Sequence, residues 1–166
     1  MCIRDSNVGN DSEAETRYVE RIIEWLGALP AGTAALCECH HGISIAEDPN
    51  VAARIFDAAG PASALQAIVH THEDHDHVRA RFDAYGDRIT HVHVNYLDFA
   101  SGSGPALLAD QREALESDVA LLQSLGFAGS WTIEFTHGTL TAENDHPEFL
   151  IASATADAEV LREVLG

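Results

Sequence analysis

Apolar residues along the chain fall into two alternating kinds of segment. In some segments they recur every three or four residues, the spacing of an amphipathic helix, and in others they form short continuous runs, typical of buried strands. This alternation predicts an α/β fold with helices packed outside a parallel sheet. The predicted helices cover residues 12–27, 47–59, 75–85, 110–126 and 147–165, and the predicted strands cover residues 33–39, 64–69, 89–94 and 131–135.

Local signals indicate where some of these elements begin. Asp48 followed by Pro49 indicates the start of the second helix, because Asp caps a helix N-terminus and Pro suits its first turn. Asp110 with Glu113 three residues later predicts a capping box for the fourth helix. The Gly- and Ser-rich residues 99–105 predict a loop.

A Glu or His lies at or near the end of each predicted strand. Because the carboxyl ends of parallel strands meet at one edge of a sheet, we expect these side chains to converge. A single His of this kind is more often a hydrogen-bonded structural residue, but the coincidence over four strands favours a metal site. Carboxylates with imidazoles suit Mn²⁺, Co²⁺, Fe²⁺, Mg²⁺ or Zn²⁺. In strand order the residues are Glu38 and His40, His70 and His72, His91 and His93, and Glu134.

Three segments together resemble a known family. CECHHG around Glu38, ITHVHV around His93 and LGFAGSWTIEF around Glu134 resemble strands five, seven and eight of the xylose isomerase-like TIM barrels, the sugar phosphate isomerase/epimerase superfamily. The resemblance covers about residues 13–165. A complete barrel has eight strands, so it implies a partial (β/α)8 barrel over residues 12–166, with four βα units that correspond to strands five to eight.

The resemblance also implies a chemistry and a ligand set. The expected activity is isomerisation or epimerisation of a sugar or sugar phosphate, by proton transfer through a metal-stabilised enediolate. The catalytic groups would be Glu38 and Glu134, which would also bind the metal together with His70 and His93. Where the family has Asp in strand six this chain reads VHTHED, which leaves open whether His70 or His72 replaces it. We expect substrate contacts from His40, His72 and Trp131.

Two alternative functions fit other features of the sequence. The segment His70–His75 matches the His-x-His-x-Asp-His signature of the metallo-β-lactamase fold, in which two Zn²⁺ ions drive hydrolysis. The strand–helix alternation argues against that fold, and we expect His75, at the start of a helix, to be solvated. The second alternative is a catalytically inactive barrel fragment or interaction module, because the strand-six Asp and the first half of the barrel are missing.

Composition narrows the class of partner. The chain of 166 residues has 27 acidic and 9 basic residues, a net charge of −18, and its basic residues are all Arg. This charge disfavours nucleic acid and anionic membranes, and no apolar run reaches the roughly 20 residues of a membrane span. Residues 1–11 show no periodicity and are predicted to be a disordered or non-native tail without a secretory signal. We expect a cytoplasmic protein that binds a carbohydrate-like small molecule, with a second copy or the missing N-terminal half as partner.

Overall fold

A computed structural model describes residues 12–39, 44–61, 64–98, 104–139, 141 and 146–166. The predicted tail over residues 1–11 lies outside them. The chain divides into two compact units. The first contains the described residues up to Val69 together with Asp76–His91, and the second contains His70–His75 and Val92–Gly166.

Helices and strands alternate along most of the described chain, as the sequence predicts. The helices are α1 (Ser12–Ala28), α2 (Pro49–Ala58), α3 (His75–Tyr85), α4 (Arg112–Ser124) and α5 (Pro147–Leu165). The strands are β1 (Ala35–Glu38), β2 (Leu65–His70), β3 (Ile89–Val94), β4 (Leu97–Asp98), β5 (Gly104–Pro105) and β6 (Ser130–Ile133). Short 3-10 turns precede β3 and α4, at Gly86–Arg88 and Leu108–Gln111.

The four long strands form one parallel sheet in the order β1-β2-β3-β6. In the β1–β2 pair, Ala35 lies opposite Leu65 and Glu38 lies opposite Ile68. The α/β class and the four predicted strands are therefore confirmed. Among the described residues the sheet is open, with β1 and β6 at its edges, and a partial TIM barrel stays a prediction.

The first unit is held by apolar packing and by an ion pair between two of its helices. Ala52, Ile55 and Phe56 of α2 are buried, and the ring of Phe56 lies 4.9 Å from that of Tyr85. Arg54 donates two hydrogen bonds of 2.8 Å to the carboxylate of Glu15, which connects α2 to α1. Its guanidinium lowers the pKa of Glu15, because the hydrogen bonds favour the ionised carboxylate.

Buried Asp157 on α5 accepts two hydrogen bonds within the second unit. Its Oδ1 accepts a 2.8 Å hydrogen bond from the backbone N–H of Leu108, and its Oδ2 accepts a 2.6 Å bond from the hydroxyl of Thr136. Leu115 and Leu122 of α4 are also fully or almost fully buried in this unit. The carboxylate therefore satisfies two polar groups that would be costly to bury unpaired.

The predicted Asp48 cap of α2 is confirmed. The predicted capping box of α4 is wrong, and the loop predicted before it is wrong at its last two residues. Asp48 caps α2 by accepting hydrogen bonds from two backbone N–H groups. The capping box predicted at Asp110 does not form, because Asp110 lies inside a 3-10 turn and α4 begins at Arg112. Of the loop predicted over residues 99–105, residues 99–103 lie outside the described residues, and Gly104–Pro105 form β5, which pairs with β4 in antiparallel fashion. A pair of two-residue strands has too few side chains to show a periodic pattern.

Candidate metal centre

Three predicted ligands come together in the second unit. His70 ends β2, His93 lies near the end of β3, and Glu134 directly follows β6. Backbone hydrogen bonds hold these strand ends side by side: the Thr71 N–H donates to the carbonyl of His93 over 3.1 Å, and the Glu134 N–H donates to that of Val94 over 3.1 Å. The three side chains converge because each residue lies at or just beyond the carboxyl end of a parallel strand.

The carboxylate of Glu134 lies between the two imidazoles. Its Oε2 is 3.7 Å from Nε2 of His70, and its Oε1 is 3.6 Å from Nδ1 of His93. The two imidazole rings have centroids 5.3 Å apart and planes at 80°. One donor atom from each of the three residues lies within 4.8 Å of the others.

This donor set fits a divalent metal ion. Ligand atoms that share a metal at about 2.1 Å lie roughly 3 to 4 Å apart, which is close to the separations between Glu134 and the two imidazoles. Two imidazoles and a carboxylate suit Mn²⁺, Fe²⁺, Co²⁺ or Zn²⁺. His70 is only 2% exposed, and its Nδ1 lies 3.7 Å from Oε1 of Glu73.

The fourth predicted ligand, Glu38, belongs to the first unit. It ends β1 and pairs in register with Ile68, two residues before His70 along β2. Its side chain is half-buried. Its predicted roles as ligand and proton carrier stay predictions.

Asn95 is a residue of this centre that the sequence analysis missed. Its side-chain amide donates a hydrogen bond to Oε2 of Glu134. It is 1% exposed, and its backbone exchanges hydrogen bonds of 3.1 and 3.3 Å with the hydroxyl of Thr71. Among the described residues its Oδ1 is buried without a hydrogen-bond partner. Strand alternation could have revealed Asn95, since it continues the series of His91 and His93 on one face of β3.

A buried carboxylate, Asp118 of α4, binds two side chains beside the centre. Its Oδ1 lies 2.7 Å from Nε2 of His75, and its Oδ2 accepts a 2.6 Å hydrogen bond from the hydroxyl of Tyr96. Burial raises the pKa of Tyr96 well above its ordinary value, and the hydrogen bond to Asp118 adds to this effect. The side chain of His75 is 39% exposed, as the expectation of a solvated residue requires, but its ring is also bonded to Asp118.

His72 lines an open cleft next to the centre. Its ring centroid lies 5.3 Å from that of His70, and it is exposed. Within the described part of the chain, the cleft is also lined by Tyr96, Leu97, Ala106 and Gln111. This placement is compatible with the substrate contact predicted for His72.

The other two predicted substrate contacts stay predictions. His40 lies outside the described residues. Trp131 is half-buried near the start of β6, and its ring packs edge-on against Phe127 with a centroid separation of 5.5 Å.

No protein-family model, curated protein or solved structure matches this chain. No described helix is both long and apolar enough to cross a membrane. Fold and site together define a mixed α/β protein whose His and Glu side chains could hold a metal ion.

Proposed function

We propose that the protein is a divalent-metal-dependent sugar isomerase or epimerase. The observation that carries the proposal is the convergence of His70, His93 and Glu134 at the carboxyl ends of three strands. Parallel α/β folds place their active sites at these ends. The segments around His93 and Glu134, together with CECHHG around Glu38, resemble strands of the xylose isomerase-like barrels, which also supports the proposal.

His70, His93 and Glu134 would hold the metal, with Glu38 as the proposed fourth ligand. The metal could be Mn²⁺, Co²⁺, Fe²⁺, Mg²⁺ or Zn²⁺, and when bound it supplies Lewis-acid polarisation of the substrate's carbonyl and hydroxyl oxygens. The remaining chemistry belongs to the side chains of the protein.

Glu134 and Glu38 would transfer the proton. In epimerisation, one carboxylate removes a proton from the carbon beside the carbonyl, and the other, as its acid, returns a proton to the opposite face of that carbon. In isomerisation, the proton returns to the neighbouring carbon, and the hydroxyl proton passes from one oxygen of the enediolate to the other, so that carbonyl and hydroxyl exchange places. The reaction moves protons only, so substrate and product have the same oxidation level. Asn95 would act as a positioning residue, because its amide holds one oxygen of Glu134 and limits rotation of that carboxylate.

The hydrolase alternative has less support from the contacts of its motif. The described cluster that could hold a metal includes His70 but not His72, Asp74 or His75. His75 is bonded instead to Asp118, and the strands alternate with helices.

The inactive-fragment alternative is supported by the two sheet edges, β1 and β6, that are open among the described residues. A second copy or an N-terminal half-barrel is the partner we propose for those edges.

Proton exchange with solvent tests the proposal. The Mn²⁺-loaded protein is incubated in D₂O with D-xylulose, D-fructose or the corresponding aldoses, and deuterium on carbon is followed by NMR. We expect about one deuterium per product molecule for at least one sugar, and loss of this exchange in Glu134→Gln. Glu113→Gln is the matched control, since Glu113 is an exposed carboxylate on α4. Absence of exchange with all of these sugars would contradict the proposal.

A further inference from the structure

An open cleft in the second unit lies next to the candidate metal centre. Its described lining comprises His72, Tyr96, Leu97, Ala106 and Gln111. Two links connect it to the centre: the ring of His72 packs against that of His70, and Tyr96 directly follows Asn95, whose amide bonds to Glu134. A substrate that reacts at the centre would therefore extend its unreacted end into this cleft.

The lining suits a hydroxylated carbon chain. Leu97, Ala106 and the ring of Tyr96 offer surfaces for C–H groups, while the half-buried Gln111 offers one amide that both donates and accepts hydrogen bonds. The Tyr96 hydroxyl is engaged by Asp118, so the ring of Tyr96 is the surface that it offers to the substrate, and Gln111 supplies the polar contact.

The charges around the cleft are unfavourable for a phosphate group. The described lining includes no Arg, and the whole sequence contains no Lys. The second unit carries Arg112 and Arg162. Arg112 is bonded to Glu163 and lies 3.7 Å from Glu116, and Arg162 lies in the last turn of α5.

A negative group also lies behind the cleft wall. Asp118 is 7% exposed and holds the hydroxyl of Tyr96. A phosphate dianion in the cleft would meet this carboxylate without the Arg or Lys partners that phosphate sites use. A neutral hydroxyl group in the cleft is not repelled by this carboxylate.

We propose that this cleft binds the uncharged, hydroxylated end of the substrate, so that the protein acts on free sugars and not on their phosphate esters. The inference rests on the proposed function, since it assigns the substrate class of the same site. It also identifies Gln111 as a residue that determines specificity through its hydrogen bonds to the sugar.

Binding measurements on paired ligands test the cleft without relying on turnover. D-fructose is compared with D-fructose 6-phosphate, and D-xylulose with D-xylulose 5-phosphate, by ligand-observed NMR titration of the Mn²⁺-loaded and metal-free protein. We expect each free sugar to bind more tightly than its phosphate ester. Gln111→Ala should weaken sugar binding about 3- to 10-fold, the effect of one net hydrogen bond, and Gln123→Ala, at an exposed position of α4, should leave it unchanged.

A charge-introducing variant gives the converse result. Gln111 makes no side-chain cap bond at the start of α4, so replacing it removes no contact that the helix end requires. Gln111→Arg should raise the affinity for the phosphate ester about 10-fold, because the guanidinium supplies the missing cation.

Separate readouts distinguish failure of the cleft from failure of the metal centre. Mn²⁺ affinity, measured calorimetrically, should be the same within about 2-fold in wild type, Gln111→Ala and Gln111→Arg, because Gln111 is not a ligand. Loss of Mn²⁺ binding in wild type would overturn the proposed function, whatever the sugars do. Intact Mn²⁺ binding with tighter binding of the phosphate esters, or with sugar affinity unaffected by Gln111→Ala, would overturn the cleft assignment alone. Absence of sugar binding to the Mn²⁺-loaded protein would also overturn it.

Discussion

The side-chain amide of Asn95 donates a hydrogen bond to Oε2 of Glu134, the same oxygen that faces Nε2 of His70. Asn95 is almost completely buried, and its backbone N–H and carbonyl are both hydrogen-bonded to the side-chain hydroxyl of Thr71. A ligand carboxylate held in this way needs little reorientation when a metal binds, so its conformational cost is reduced.

Substituting Asn95 should weaken metal binding although Asn95 is not a proposed ligand. We expect Asn95→Ala to lower Mn²⁺ affinity roughly 10- to 100-fold, the usual cost of removing a residue that orients a metal ligand. Titration calorimetry measures the change, and circular dichroism at the same temperature confirms that the variant is folded. Asn50→Ala, at an exposed position of α2, serves as the control. An Mn²⁺ affinity equal to that of wild type in a folded Asn95→Ala protein would refute the positioning role.

Tyr96 should make stability sensitive to alkaline pH. Its pKa in the folded protein is raised above the ordinary 10.0, chiefly by burial, so the unfolded chain loses this proton at a lower pH than the folded chain does. The contribution of Tyr96 to the free energy of unfolding is therefore fully present below about pH 10. It is lost progressively as the pH rises beyond that value.

Denaturant unfolding between pH 8 and pH 11 measures this effect. The free energy of unfolding should fall with pH above about 10 less steeply in Tyr96→Phe than in wild type, because phenylalanine has no proton to lose. Parallel slopes for the two proteins would show that Tyr96 titrates normally in the folded state.

The buried carboxylate of Asp157 should be important for stability. Asp157→Ala leaves the N–H of Leu108 and the hydroxyl of Thr136 without their acceptor, which should cost about 2 to 4 kcal/mol of the free energy of unfolding. Urea denaturation gives the difference, with Glu159→Ala, at an exposed position of the same helix, expected to change it by less than about 0.5 kcal/mol. Equal destabilisation by the two substitutions would contradict the role assigned to Asp157.

Sequence pattern predicts the parts of this molecule in which local and tertiary preferences agree. β3 occupies Ile89–Val94 and α5 occupies Pro147–Leu165, the predicted ranges in both cases, because apolar periodicity and flanking Gly or Pro residues mark these elements locally. His70, His93 and Glu134 were predicted for the same reason, since their position at strand ends follows once the strands are known.

Contacts between distant residues were not predictable in this way. Asp118 looks in the sequence like any acidic residue of an amphipathic helix, yet it is buried and binds His75, 43 residues earlier, and Tyr96, 22 residues earlier. Asn95 likewise acquires its role only when Glu134, 39 residues later, is brought beside it. Such partners depend on packing between elements, which periodicity within one element does not specify.

Metal content is the most direct test of the candidate centre. Wild type, Glu134→Gln and the exposed control Glu113→Gln are equilibrated with Mn²⁺ or Zn²⁺, freed of excess metal and analysed by inductively coupled plasma mass spectrometry. We predict about one equivalent in wild type and Glu113→Gln, and at least about 10-fold weaker binding in Glu134→Gln, which loses a charged ligand between two imidazoles. Two zinc equivalents retained in Glu134→Gln, or no metal in any of the three proteins, would contradict the account.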